Sequence, residues 1–96
     1  MKRFVLTPQL RRAAARCVWF EPPEKAISHP SRLAAYIFTY GDADDVRALR
    51  SQLSTEELTQ LLDSAPPGIF DRKSWAYWNL VVGRYETLLM PKRTFA

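Results

Sequence analysis

The sequence predicts an all-α fold, a single small domain of four or five short helices with an extended C-terminal tail. Three observations carry this expectation. Apolar residues recur at helical spacing in successive windows. Helix-start residues stand directly before those windows, at Thr7-Pro8, Ser28 or His29 before Pro30, Asp42, Ser54, and Asp71 or Ser74. The chain holds 3 glycines in 96 residues, too few for the tight turns of an all-β chain.

Thr7-Pro8 pairs a capping hydroxyl with a proline at the first helical position. Leu6, Leu10, Ala13, Ala14, Cys17 and Val18 then fall on one face, with Arg11, Arg12 and Arg16 mostly off it. Glu21-Pro22-Pro23 breaks this helix, because proline lacks an N–H and pushes its predecessor out of the helical region. Trp19 and Phe20 precede the break, and the connector is expected to lay both across the main block; Glu24 to Ile27 can add one further turn. After His29-Pro30, a helix with Leu33, Ala34, Ile37 and Tyr40 on one face, widened by Tyr36 and Phe38, is apolar around most of its circumference and is expected to be central. Gly41 is expected to end it in the left-handed conformation, with positive φ, and Asp42 to cap the next helix. That helix turns Val46, Leu49 and Leu53 inward. Ser54-Thr55-Glu56-Glu57 is a capping box leading into Leu58, Leu61 and Leu62. The last helix runs from Asp71 to Gly83. Trp75, Tyr77, Trp78, Leu80, Val81 and Val82 leave it little polar surface, so it must be buried or meet a partner along half its girth. By this reading residues 1–27 are a basic helix with a proline-rich connector, 28–83 the helical core domain, and 84–96 a basic extended tail.

The charge is unevenly spread behind a net of +4. Residues 1–20 carry Lys2, Arg3, Arg11, Arg12 and Arg16 and no acid. Residues 42–63 carry Asp42, Asp44, Asp45, Glu56, Glu57 and Asp63 against Arg47 and Arg50. The ends are basic and the middle is acidic, so the pI near 9.6 describes no single surface.

Several chemistries are excluded or unsupported. One Cys and one His cannot build a disulfide framework or an ordinary zinc site. No apolar run reaches the roughly 18 residues of a membrane span, and Arg11, Arg12 and Arg16 interrupt any signal-peptide core. A lone Cys17 suits a reducing, cytoplasmic setting. Phosphate-binding glycine loops, nucleophile elbows and metal-ligand clusters do not occur. The acids Asp44, Asp45, Glu56 and Glu57 fall in first turns, where capping and the helix dipole account for them. No catalytic, cofactor or metal role is expected. Residues 42–64 have a helix-turn-helix layout, but the second helix offers Thr55, Glu56, Glu57 and Gln60 and no Lys or Arg, which a phosphate backbone would repel. Nucleic acid, if a partner, falls to the basic ends.

The run Ser31-Arg32-Leu33-Ala34-Ala35-Tyr36-Ile37-Phe38-Thr39-Tyr40-Gly41-Asp42, with Val46-Arg47-Ala48-Leu49-Arg50, the Leu58–Leu62 helix and Ser74-Trp75-Ala76-Tyr77-Trp78, resembles a small bacterial helical family. Its members are commonly encoded beside nucleotidyltransferase toxins of the abortive-infection E type (AbiEii-like) and are taken to be their antitoxins. The resemblance covers roughly residues 28–83 and leaves out both basic ends. It implies a protein that neutralises a nucleotidyltransferase by direct contact, with nucleic-acid-binding regulation through the basic termini as the alternative. The contact residues expected on this basis are the acids Asp44, Asp45, Glu56 and Glu57 against a basic cleft rim, Trp75 and Tyr77 as aromatic anchors, and Arg11, Arg12 and Arg16 against acidic patches.

Overall fold

Capping side chains fix where most of the helices begin, and the computed structural model, which describes residues 3–84, shows four of the six caps bonded through a side chain. Thr7 Oγ1 accepts from the Leu10 N–H at 3.1 Å and starts α1 (Pro8–Cys17). The double proline gives way to a single turn, α2 (Pro23–Ala26). His29 takes the cap position of α3 (Pro30–Tyr40) without a side-chain bond. Asp42 Oδ1 accepts from the Asp45 N–H at 2.9 Å, and Asp45 Oδ2 accepts from the Asp42 N–H at 3.1 Å, a reciprocal box that opens α4 (Ala43–Arg50). Ser54 and Glu57 form the same box for α5 (Thr55–Asp63), at 3.1 and 2.9 Å. Asp71 accepts from the Ser74 N–H at 2.7 Å at the head of α6 (Arg72–Val81). The described residues thus hold six helices, the expected set plus the single turn α2, and no strand. The tail expected over 84–96 lies, beyond Arg84, outside the described residues.

α3 is the hub: every other helix packs against it. Leu33, Ala34, Ala35, Ile37 and Phe38 are all buried, and the small alanines let neighbours approach closely. Tyr40 departs from the expected face. It is 66% exposed, because the helix ends there and its ring turns out beside Tyr36, with centroids 6.2 Å apart.

The basic first helix is no appendage. Leu10, Ala13, Ala14 and Val18 are fully buried in the same core as α3, α4 and α5, and α1 packs more extensively on α4 than any other two helices pack together. The boundary expected at residue 27 therefore crosses a shared core. The segment before α1 is fixed as well. The Val5 N–H donates to Gln52 Oε1, and Gln52 Nε2 donates back to the Val5 carbonyl, both at 2.8 Å.

Gly41 corrects another expectation. Its φ is −74° and ψ 155°, ordinary extended backbone, so no left-handed turn requires glycine there. The requirement is space: a Cβ would stand 2.6 Å from the Ile37 carbonyl oxygen and 2.9 Å from the Asp45 Cβ. Among the described residues the glycines with positive φ are Gly68, at +86°, and Gly83, at +87°, where α6 ends as its position predicts. Beyond it the Arg84 N–H donates to the Asn79 carbonyl at 2.9 Å, and the Arg84 guanidinium reaches Asp63 at 2.8 Å, closing the end of α6 onto α5.

Candidate interaction surface

The nine residues expected to touch a partner are not brought together. Asp44 and Asp45 open α4, while Glu56 and Glu57 open α5 beyond the far end of α4, a helix of eight residues and so about 12 Å long. No common acidic rim forms. Asp44 is exposed and pairs with Arg47 one turn on, at 2.9 Å. Asp45 is 4% exposed, which overturns its assignment to the surface. Its carboxylate closes the cap box, receives the Cys17 thiol at 3.9 Å and lies 3.5 Å from the Arg16 guanidinium. Glu57 is committed to its own cap box, leaving Glu56 as the freely exposed member of the α5 pair.

The arginines of α1 are divided in the same way. Arg11 pairs with Glu24, and Arg16 reaches Asp42 at 2.8 Å. The Asp45 N–H and then Arg16 hold the Asp42 carboxyl below the usual range, and Asp42 raises the Arg16 guanidinium in return. Both pairs are solvent-exposed and worth little. Arg12 and Arg3 form no ion pair among the described residues. They line an open groove of about 840 Å³ between α1 and α4 together with Arg16, Arg47 and the two acids Asp44 and Asp45.

The aromatic anchors separate cleanly. Trp75 is a core residue, 7% exposed, set edge-on to Phe70 with ring centroids 5.3 Å apart, and it is not available as a contact. Its Nε1 is buried without a hydrogen-bond partner. Trp78 is core too. It stacks on Phe38 at 4.0 Å and donates its Nε1–H to the Phe38 carbonyl at 3.3 Å. Tyr77 points the other way and is 59% exposed, and Leu80 and Val81 follow it on the outer face of α6 at 51% and 40%. Of the two outcomes expected for this helix, burial or one face left for a partner, the structure rules out full burial.

Two further features were legible only in part: Trp19 and Phe20 were expected across the main block, and Phe20 does lie on Tyr36 of α3 while Trp19 stands out in solvent. Trp19, 79% exposed, Phe20, Tyr36 and Tyr40 form a surface run of edge-on and tilted rings with centroids 5.7 to 6.2 Å apart. Tyr36 and Tyr40 share a helix face at spacing i, i+4, the one signal that could have announced it. Arg47, Arg50, Lys73 and Tyr77 meet around a groove between α4 and α6. The i, i+3 spacing of the two arginines was legible, but their meeting with Lys73 of α6 was not. The described residues contain no cluster of His, Cys, Asp or Glu that could hold a metal ion, and no helix among them is long and apolar enough to cross a membrane. Comparison with protein-family models, curated proteins and solved structures finds no match.

Proposed function

We propose that this chain is a binding protein of the antitoxin kind, which neutralises a cognate nucleotidyltransferase in the cytoplasm by direct contact and performs no chemistry of its own. The observation that supports it is the outer face of α6, where Tyr77, Leu80 and Val81 stand exposed on a helix whose other side is anchored in the core by Trp75 and Trp78. Apolar and aromatic side chains presented on a rigid element are the usual centre of a protein contact. The resemblance of the α3–α4 junction and of Ser74–Trp78 supplies the class of partner.

The test is co-expression with the nucleotidyltransferase encoded beside it. The parent chain should rescue growth and co-purify with the toxin. Tyr77→Glu and Leu80→Glu, both at exposed positions, should keep the helical circular-dichroism spectrum and lose both properties. A neighbouring gene that encodes no nucleotidyltransferase, or full rescue by the double variant, would refute the proposal. The regulator alternative draws its support from Arg3 and Arg12, unpaired beside the α1–α4 groove. It requires tight, sequence-selective binding of duplex DNA at physiological salt. The proposal expects weak binding without sequence preference that disappears as salt rises.

A further inference from the structure

α4 and α6 both rest on α3 and make no contact with one another. Between them runs an open groove of about 830 Å³. Phe38 of α3 and the Trp78 ring stacked on it form the floor, and Val46 and Tyr77 stand at the sides. The edges are basic. Arg47 and Arg50 come from α4, and Lys73 from the first turn of α6. Asp42 is the one acid lining the groove, and Arg16 holds it from the other side. Lys73 forms no ion pair among the described residues. Arg47 has only the solvent-exposed Asp44 as a partner, and Arg50 donates to the Leu53 carbonyl at 2.6 Å.

We infer that this groove seats an acidic amphipathic helix of a partner protein. A lane left by two helices lying apart on a third is the shape a further helix fills, with its axis roughly 8–10 Å from that of α3. The lane joins an aromatic floor to three cations along its edges. A helix that turns apolar residues at i, i+3 or i+4 and i+7 onto Val46, Tyr77 and Trp78 carries its flanking carboxylates to Arg47, Arg50 and Lys73. A basic segment would meet three like charges, and a wholly apolar one would offer no charge to Lys73 and add nothing to the local contacts of Arg47 and Arg50. The inference rests on reading the chain as a binding protein, and it gives the contacting segment of the partner a negative sign.

The full chain should be panned against a displayed library of random peptides about 16 residues long, enough for four helical turns. The enriched peptides should be rich in Asp and Glu, with apolar residues at helical spacing. In fluorescence anisotropy, a selected peptide should bind about tenfold or more weakly to the Arg47→Glu/Lys73→Glu variant, and comparably weakly to Tyr77→Ala. Arg12→Glu, on the α1–α4 groove, should change its affinity less than about twofold, as expected for a site outside the contact. The peptide should also shift the Trp78 indole N–H resonance in the parent chain. Each variant is first checked by circular dichroism, and Tyr77→Ala, which gives up one edge-on contact with Trp78 and leaves that ring stacked on Phe38, keeps the test open should the charge reversal unfold. Enrichment of basic peptides, absence of enrichment, displacement of the peptide by a single-stranded oligonucleotide at equal or lower concentration, or unchanged affinity in both groove variants would overturn the inference. None of these readouts involves the toxin. A chain that still neutralises the nucleotidyltransferase while failing them overturns the groove inference alone.

Discussion

Gly41→Ala separates two reasons for a glycine at a helix end. With φ at −74° and ψ at 155°, alanine is free to adopt the backbone of Gly41. Considered alone, that substitution should stabilise by about 0.4–1 kcal/mol, since alanine has fewer unfolded conformations to lose. The added Cβ, however, lands 2.6 Å from the Ile37 carbonyl oxygen, 2.9 Å from the Asp45 Cβ and 3.3 Å from the Ile37 Cγ2. The nearest of these atoms is backbone inside α3 and cannot swing away. Overpacking of this kind costs about 1–3 kcal/mol, so the collision outweighs the entropy gain and the net loss should be about 1–2 kcal/mol. For a domain of this size each 1 kcal/mol lowers Tm by about 4–8 °C, a shift easily read by thermal melting with urea titration as a check. Gly83 is the control. At φ +87°, with no atom within 4 Å of an added Cβ, its substitution cost is conformational, so Gly83→Asn should recover much of what Gly83→Ala loses. Gly41→Asn should recover nothing. A Gly41→Ala protein as stable as the parent, or a Gly41→Asn protein better than Gly41→Ala, would refute the steric argument.

Asp44→Lys, at an exposed position, should alter stability by less than about 0.5 kcal/mol, whereas Asp45→Lys places a second cation in a buried site beside Arg16 and should cost about 3–5 kcal/mol by urea denaturation. Leu10→Ala, at a fully buried position of α1, should cost about 2–5 kcal/mol, and a chain lacking residues 1–18 should lose its cooperative melt. Burial, with the Asp45 carboxylate as a second cause, pushes the Cys17 thiol up from 9.0 to about 11. A folded value above the unfolded one stabilises in full below the lower value and stops doing so as pH rises through the higher. The urea midpoint of the parent should therefore fall between pH 9 and 11, and Cys17→Ala should flatten that slope. The same thiol should react with an alkylating reagent far more slowly in the folded chain than in urea. At the acid end Asp42, Asp71 and Glu24 all titrate below their ordinary range, so their contribution is whole above about pH 5 and declines as pH falls through their lowered values, which acid titration followed by circular dichroism will read.

Helix starts were legible because capping is a transaction within four residues. Thr7, Asp42, Ser54 and Asp71 each bond the N–H three positions on, and that spacing is written in the chain. The central place of α3 was legible from its apolar circumference. What a side chain does beyond its own helix was not. Asp44 and Asp45 are adjacent acids in one first turn, yet α1 packing over α4 buries one and leaves the other in water. Trp75 and Tyr77 stand two residues apart, about 200° around a helix, so a core on one side must take one and expose the other, but periodicity does not say which. The acidic rim failed for a related reason: a tight connection between α4 and α5 strings their first turns along the chain instead of setting them side by side. The fold class was thus carried by local chemistry, whereas the surface depended on pairings between distant segments.

The pairing of α1 with α4 has a temporal side. Ribosomes deliver the chain from its N-terminus at about 5–20 residues per second, so the 33 residues from Cys17 to Arg50 take roughly 2–7 s to follow. Throughout that interval the stripe of Leu10, Ala13, Ala14 and Val18 has been made and its principal cover has not. Once α1 has left the ribosome, the same lag passes before α4 follows it, and for that time a basic, apolar helix stands open to chaperones and proteases. Faster elongation after α1 emerges should therefore shorten the exposure of that stripe, independently of how stable the folded domain is.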